Sequence, residues 1–447
     1  MHTLLLAKSF LLPSRPVSVF LVCPLMSGPL TAYICAAART PVGRNRGSLS
    51  KIHPADLGAI AVDACVQRSG CPPEAVDDVI IGCVSQFGAQ AVNIGRTVVL
   101  SSKVLPETCP GTTVDRQCGS SQQAIHFAAQ AVMSGTQDVV VAGGVEVMSL
   151  LPIGCVVMDA MKVEPSRGTP YNGKGFTDKY GKKIAKTGAP APSQFIGAEL
   201  LVHKHKLTRE GLDGLAVESH RRAAAAIKAG TFRDEIVPVP IVDKDGNATN
   251  FTTDECPRPA TTMDAISKLK TLHPMGKLTA ATASQIADGA AAVLIANDRA
   301  VAKYNLKPLA KIVTMSVIGC DPIVMLEGPI FATKAALKRS GLSLTDIGLY
   351  EVNEAFASVP LSWATALKAD TGKLNVNGSG ISLGHALGGT GARIFTTLVH
   401  EMHRRKERYG LVSICEGGGT ANATIIERVD PAEVAKIGRG GAAASKL

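Results

Sequence analysis

The sequence predicts an α/β protein built from two related halves, and three observations predict it. The chain resembles itself: residues 64–83 (ACVQRSGCPPEAVDDVIIGC) and 335–354 (AALKRSGLSLTDIGLYEVNE) both read as a helix ending in Arg-Ser-Gly, a short acidic connection and a β-branched strand. At the same offset of 271 residues, 139–144 (VVVAGG) falls on 410–415 (GLVSIC), and the helical stretch after Gly119 falls beside the one after Gly391. The strands, such as Val79–Ile81 and Val139–Val141, are continuous apolar runs alternating with helices, the pattern of mainly parallel strands covered on both faces. Composition agrees: 46% of the 447 residues are hydrophobic and 19% charged, which supplies a large core and excludes intrinsic disorder.

Taken in order, residues 1–27 form an extension with no acidic residue, carrying Lys8 and Arg15 among apolar patches and serines. It reads as a targeting segment of mitochondrial character, or as sequence upstream of a start at Met26. Residues 28–147 form the first half, completed by about 287–307. Residues 148–286 match neither repeat. They open Pro-, Gly- and Lys-rich, with the Lys174–Lys186 run expected as a solvated loop, and continue into an amphipathic helix from Thr208 as N-cap to Gly230. This is an inserted loop domain. Residues 308–430 form the second half, and 431–447 a tail ending Ser445-Lys446-Leu447, the peroxisomal address read by an import receptor.

No stretch reaches the length of uninterrupted apolar sequence needed to span a membrane. The formal charge of +10 favours an anionic partner. Nucleic acid is not expected, because the cations are dispersed and no basic stretch is interleaved with aromatics. The His403–Lys406 cluster reads as cations complementing a helix C-terminus. The 11 cysteines show no metal spacing and suit a reducing compartment, with Cys35, Cys65, Cys83 and Cys320 expected as inert core thiols.

In such a sheet, chemistry gathers at the carboxyl ends of strands and the helix N-termini that follow. Four candidates lie there. Cys118, just before a helix and followed by Gly119-Ser120-Ser121, is expected to have a lowered pKa from the free amides and dipole of that end. His385 lies in the dense glycine loop Gly384-His385-Ala386-Leu387-Gly388-Gly389-Thr390-Gly391 of the second half. Asn353 in Asn353-Glu354-Ala355-Phe356 and Cys415 in Cys415-Glu416-Gly417-Gly418-Gly419 each end a strand.

Together these motifs, with Ala37-Ala38-Arg39-Thr40-Pro41-Val42-Gly43 and Thr282-Ala283-Ser284…Asp288-Gly289, resemble the thiolases from about residue 37 to 427. That family makes or cleaves the carbon–carbon bond of 3-ketoacyl-CoA thioesters. The resemblance implies a thiolase-like fold with a layered αβαβα arrangement. It implies Cys118 as the acyl-accepting nucleophile, His385 as its base, Cys415 as the acid/base on substrate carbon or CoA sulfur, and Asn353 as holder of a water at the enolate oxyanion. The amides of Cys118 and Gly417 would form a second oxyanion hole. Ser284, Ala355, Phe356 and Arg258 would contact substrate or CoA. CoA is then a substrate, with no metal or other cofactor required, and a homodimer or homotetramer is expected. An idle acyl-CoA- or lipid-binding relative is the alternative reading. Asp115 stands where related sequences usually have Asn, Ala386 where many have Pro, and Thr420 where Met is common. Asp115, if close and unpaired, would raise the pKa of Cys118.

Overall fold

The computed structural model describes residues 30–430 apart from residue 244. Residues 1–27 and Ser445-Lys446-Leu447 lie outside the described residues. The first half supplies β1 (Tyr33–Arg39), β2 (Gly43–Arg44), β3 (Asp78–Gly82), β4 (Gly111–Val114) and β5 (Val139–Val147). The insertion carries a hairpin, β6 (Val239–Val242) and β7 (Ala248–Phe251), and is followed by β8 (Ala287–Ala296). The second half supplies β9 (Ala310–Gly319), β10 (Leu349–Val352), β11 (Tyr409–Glu416) and β12 (Thr420–Arg428).

Strand order along the large sheet is β10-β11-β12-β9-β1-β8-β5-β3-β4, with β2 on β8. The order is a palindrome of the two repeats, joined where β1 meets β9 through only Tyr33↔Lys311 and Ile34↔Ala310. The repeat seen in the sequence is structural: helices Pro54–Ser69 and Gly328–Ser340 precede β3 and β10, and helices Ser120–Ser134 and Thr390–Arg405 precede β5 and β11.

The sheet is mixed, as an α/β fold of this kind requires, but its balance differs from the expectation of mainly parallel strands. The β3–β4, β3–β5 and β10–β11 pairs are parallel. The central pairs, β5–β8, β8–β1, β1–β9, β9–β12 and β12–β11, are antiparallel. A continuous apolar run reports burial on both faces and carries no information on direction, and β5 and β8 are buried along their whole lengths.

Three apolar cores explain the layers. Helices Ser120–Ser134 and Thr390–Arg405 share a middle core, where Ala124, Ile125 and Val132 meet Phe395, Leu398 and Met402 together with Val140 of β5 and Val412 and Ile414 of β11. The outer face of the first half packs on helix Pro54–Ser69. That of the second half packs on helices Gly328–Ser340, Ser358–Leu367 and Gln194–Lys204. Gly391 allows the middle helices to approach closely, since a Cβ there would fall on the backbone of Gln122. The Lys174–Lys186 run, expected as a loop, is largely a helix, Lys174–Ala185. Its aromatic side stacks Phe176 between Tyr171 and Tyr180, and Lys183 reaches Asp321 at 3.6 Å.

Candidate active site

The two middle helices bring the site together. Their N-caps, Gly119 and Gly389, have no side-chain cap, and neither helix has an acidic residue in its first turn. Each end therefore presents the positive end of a dipole with no carboxylate of its own first turn to offset it. The ends are neighbours: the Ala392 amide donates to Ser121 Oγ at 2.9 Å.

Cys118 sits at the first of these ends, buried, on a turn whose Gln117 is held at φ 49. Such left-handed backbone in a non-glycine residue stores strain and is common where a side chain must be aimed. The expected low pKa of Cys118 is not found. Burial pushes the thiol up to about 12, and the Glu416 carboxylate adds to the rise, outweighing the hydrogen bond from its own amide. At rest Cys118 is a thiol, so it could act as a nucleophile only if a base took its proton at the moment of attack. Asp115 is a minor cause of that rise. It acts in the direction the sequence reading gave, but weakly: it is exposed, and its Oδ1 accepts from the Gln117 amide at 2.7 Å.

His385 lies in the loop entering the second helix, and it is also buried. Its ring is oriented by Thr390, a residue the sequence reading passed over. Thr390 Oγ1 donates its one proton to the Ala386 carbonyl at 3.0 Å, so at 2.7 Å it accepts from His385 Nδ1–H. Nε2 is therefore the unprotonated nitrogen. Burial and the nearby Arg393 charge lower the His385 pKa to about 3, which keeps the ring neutral and available as a base. Asn353, fully buried just beyond β10, places Nδ2 3.4 Å from His385 Nε2, and its Oδ1 has no protein partner. Thr390→Val should lower kcat by about 10- to 100-fold with KM little changed, while Thr390→Ser keeps most activity. Steady-state kinetics of both variants check this, and a Thr390→Val enzyme with native kcat would sink it.

Cys415, the last residue but one of β11, is buried, its thiol held well above the ordinary range by burial and by the neighbouring Cys118 and Glu416. Gly417 follows it and abuts the nucleophile turn, since a Cβ there would lie 2.9 Å from Gln117 Oε1. Ser284, Ala355 and Phe356 come together: the Ser284 amide donates to the Ala355 carbonyl at 2.9 Å, and Ala283 bridges Phe356. The Phe356 ring packs edge-on against Phe195 at 5.4 Å. Arg258 is exposed, yet it reaches the site through one residue. Its guanidinium donates to Gln285 Oε1 at 3.0 Å, and the Gln285 carbonyl accepts from the His385 amide at 3.0 Å. Of the thiols expected as inert core, Cys320 is only half-buried.

Two further carboxylates belong to the site. Glu146, an acid inside the apolar run of β5, accepts from the Val84 and Ser85 amides, Gln90 Nε2 and the Gly388 amide, tying the loop after β3 to the His385 loop. Glu416, beside Cys415, is buried against the nucleophile turn. A lone acid within a buried strand was the available signal for both.

The arrangement holds a buried thiol, a neutral imidazole, an amide and a second thiol, fit for acyl transfer with proton movement at carbon. Family models agree: residues 32–299 match "Thiolase, N-terminal domain" and residues 306–428 match "Thiolase, C-terminal domain". The chain is 48% identical over 398 residues to steroid 3-ketoacyl-CoA thiolase FadA6 of Mycobacterium tuberculosis, covering 89% of this chain and 94% of that one. It is 41% identical to the mitochondrial 3-ketoacyl-CoA thiolase of Bos taurus, covering 88% and 98%. The solved structure of human mitochondrial 3-ketoacyl-CoA thiolase in complex with CoA superposes with a TM-score of 0.78 at 37% identity, covering 90% of this chain and all of that one.

Proposed function

The chain belongs to the thiolase family, acyltransferases of 3-ketoacyl-CoA thioesters, and from that premise we propose that it works through an acyl-enzyme on Cys118. The observation that carries the reading is the approach of the helix N-terminus that follows Cys118 to the one that follows the His385 loop, joined by the Ala392 amide on Ser121 Oγ, with Asn353 Nδ2 3.4 Å from His385 Nε2. His385 Nε2 takes the Cys118 proton, and the thiolate attacks the 3-keto carbon. The carbon–carbon bond breaks, leaving the enolate of acetyl-CoA, whose oxyanion is stabilised by a water on Asn353 together with the His385 ring. The Cys415 thiol protonates the enolate carbon. The resulting Cys415 thiolate then takes the proton of incoming CoA, whose sulfur carries off the acyl group, and the departing Cys118 regains its proton from His385. Amides of Cys118 and Gly417 stabilise the tetrahedral oxyanions, at about 3–4 kcal/mol for each well-placed donor. CoA is consumed as a substrate, and Ser284, Ala355, Phe356 and Arg258 form its binding wall. The chemistry needs no metal or other cofactor.

The test is thiolysis of 3-ketoacyl-CoA across a chain-length series, with mass spectrometry of the protein after acyl-CoA is added. Turnover with one acyl group trapped on Cys118 is expected. Folded protein that neither turns over nor acquires the acyl group would sink the reading. A homodimer or homotetramer is part of the proposal, supported by β4 as an outermost strand with Val92 and Leu100, 90% and 57% exposed, nearby. A monomer mass by light scattering would overturn it. The tail Ser445-Lys446-Leu447 supports a peroxisomal role in fatty-acid β-oxidation, with a mitochondrial destination as the alternative from residues 1–27. A fluorescent fusion that reaches peroxisomes without its last three residues would count against the tail as the address.

A further inference from the structure

Glu416 is a buried acid that the proposed reaction does not use. It lies on the face of β11 that carries Val412 and Ile414 into the middle core, two residues on in a strand whose side chains alternate. That face meets the nucleophile turn. A Cβ on Gly119 would fall on Glu416 Oε1, so the carboxyl packs directly against the residue that follows Cys118. Oε2 accepts from the Thr420 hydroxyl at 2.6 Å, while Oε1 is buried with no protein partner. Close to it are Asp115, Arg116 and Cys118 from the turn before the first middle helix, Cys415, its neighbour in the strand, and Cys320, itself near Asp321 and Glu327, from the segment after β9. None of them forms an ion pair with it within 4.0 Å among the described residues.

We propose that Glu416 is a positioning residue that gates the nucleophile: as a neutral acid it lets Cys118 ionise, and as a carboxylate it holds Cys118 as the thiol. The inference rests on the reading of Cys118 as nucleophile. Burial raises the Glu416 pKa to about 8, opposed by the Thr420 hydrogen bond and the Arg116 charge. Below that pH the group is uncharged and no charge repulsion opposes the thiolate. Above it the new negative charge works against a second one on Cys118, so thiolate formation gains less with each further unit of pH. The proton sits on Oε1, because Oε2 already accepts from Thr420.

The experiment is the rate of iodoacetamide alkylation of Cys118, followed by peptide mass from pH 6 to 10, which reads the thiolate whether or not the enzyme turns over. In the native protein the rate should rise with pH and bend to a shallower slope near 8. In Glu416→Gln the bend should vanish, so that by pH 9.5 the variant is alkylated on the order of threefold to tenfold faster. Thr420→Val removes a bond that favours the carboxylate, so its bend should move to higher pH. A bend that persists in Glu416→Gln, or native and variant curves that superpose, would overturn the proposal. If Glu416→Gln fails to fold, Thr420→Val decides, and an unmoved bend there overturns it. Native protein that shows the bend, lost in Glu416→Gln, but performs no thiolysis would instead overturn the reading of Cys118 as nucleophile while keeping the Glu416 control of its ionisation.

Discussion

Cys118→Ala is expected to lower 3-ketoacyl-CoA turnover on the order of 10⁴-fold or more, with the folded protein otherwise unchanged. Covalent catalysis has no partial form: without the sulfur there is no acyl-enzyme, and His385 Nε2 has no proton to take. No neighbour substitutes. The Cys415 thiol neighbours Cys118 but is itself held well above its usual range, and in the proposed cycle its proton is committed to the enolate carbon. Stability should scarcely move, because the deleted atom is one small buried group and the neutral thiol carries no charge whose pairing would be lost. The check pairs initial rates with thermal melting. Residual turnover above about one hundredth of native, at an unchanged melting temperature, would show that Cys118 is not the nucleophile.

Much of this was legible in the chain. The repeat at 271 residues located both middle helices, and the glycines around Cys118 and His385 marked the loops that enter them. Direction of the strands was not legible, because burial on both faces erases the alternation from which a half-exposed antiparallel strand is read. The state of Cys118 was not legible either. A helix N-terminus argues for a thiolate, and only the structure shows that burial and Glu416 argue more strongly against one. Thr390 and Glu416 were in view as letters. Their roles depend on one hydroxyl proton and on which face of β11 meets the first half, and neither is a property of a local pattern. Arg258 showed the opposite case: a motif resemblance pointed to it, and the structure connects it to His385 through Gln285, which no motif reading singled out.

Arg39→Met is expected to destabilise the protein by about 3–5 kcal/mol and to weaken substrate binding before it slows chemistry. The guanidinium at the end of β1 is fully buried and holds two acids of the insertion, Glu235 through Nε at 2.6 Å and Asp254 through Nη1 and Nη2 at 2.7 and 2.9 Å. Phe232 stacks on it with 4.8 Å between its centre and the ring centroid. Methionine fills much of the space but leaves two carboxylates buried without their cation, and that penalty, rather than lost contact area, sets the magnitude. Urea unfolding and limited proteolysis within residues 230–260 measure it. The replacement Arg39→Met combined with Glu235→Gln and Asp254→Asn removes the stranded charges together and should recover part of the loss. The consequence for function follows from the same geometry. Asp254 also accepts from the Val42 amide at 2.7 Å, and it fixes the segment that carries Arg258. From Arg258 the path runs to Gln285 and the His385 backbone, so a loosened insertion would disturb the proposed CoA wall first. KM for CoA should rise several-fold at temperatures where the variant stays folded, with kcat falling less. Native stability in the single variant would mean that solvent reaches this pair and that the insertion is held to the first half by its apolar contacts alone.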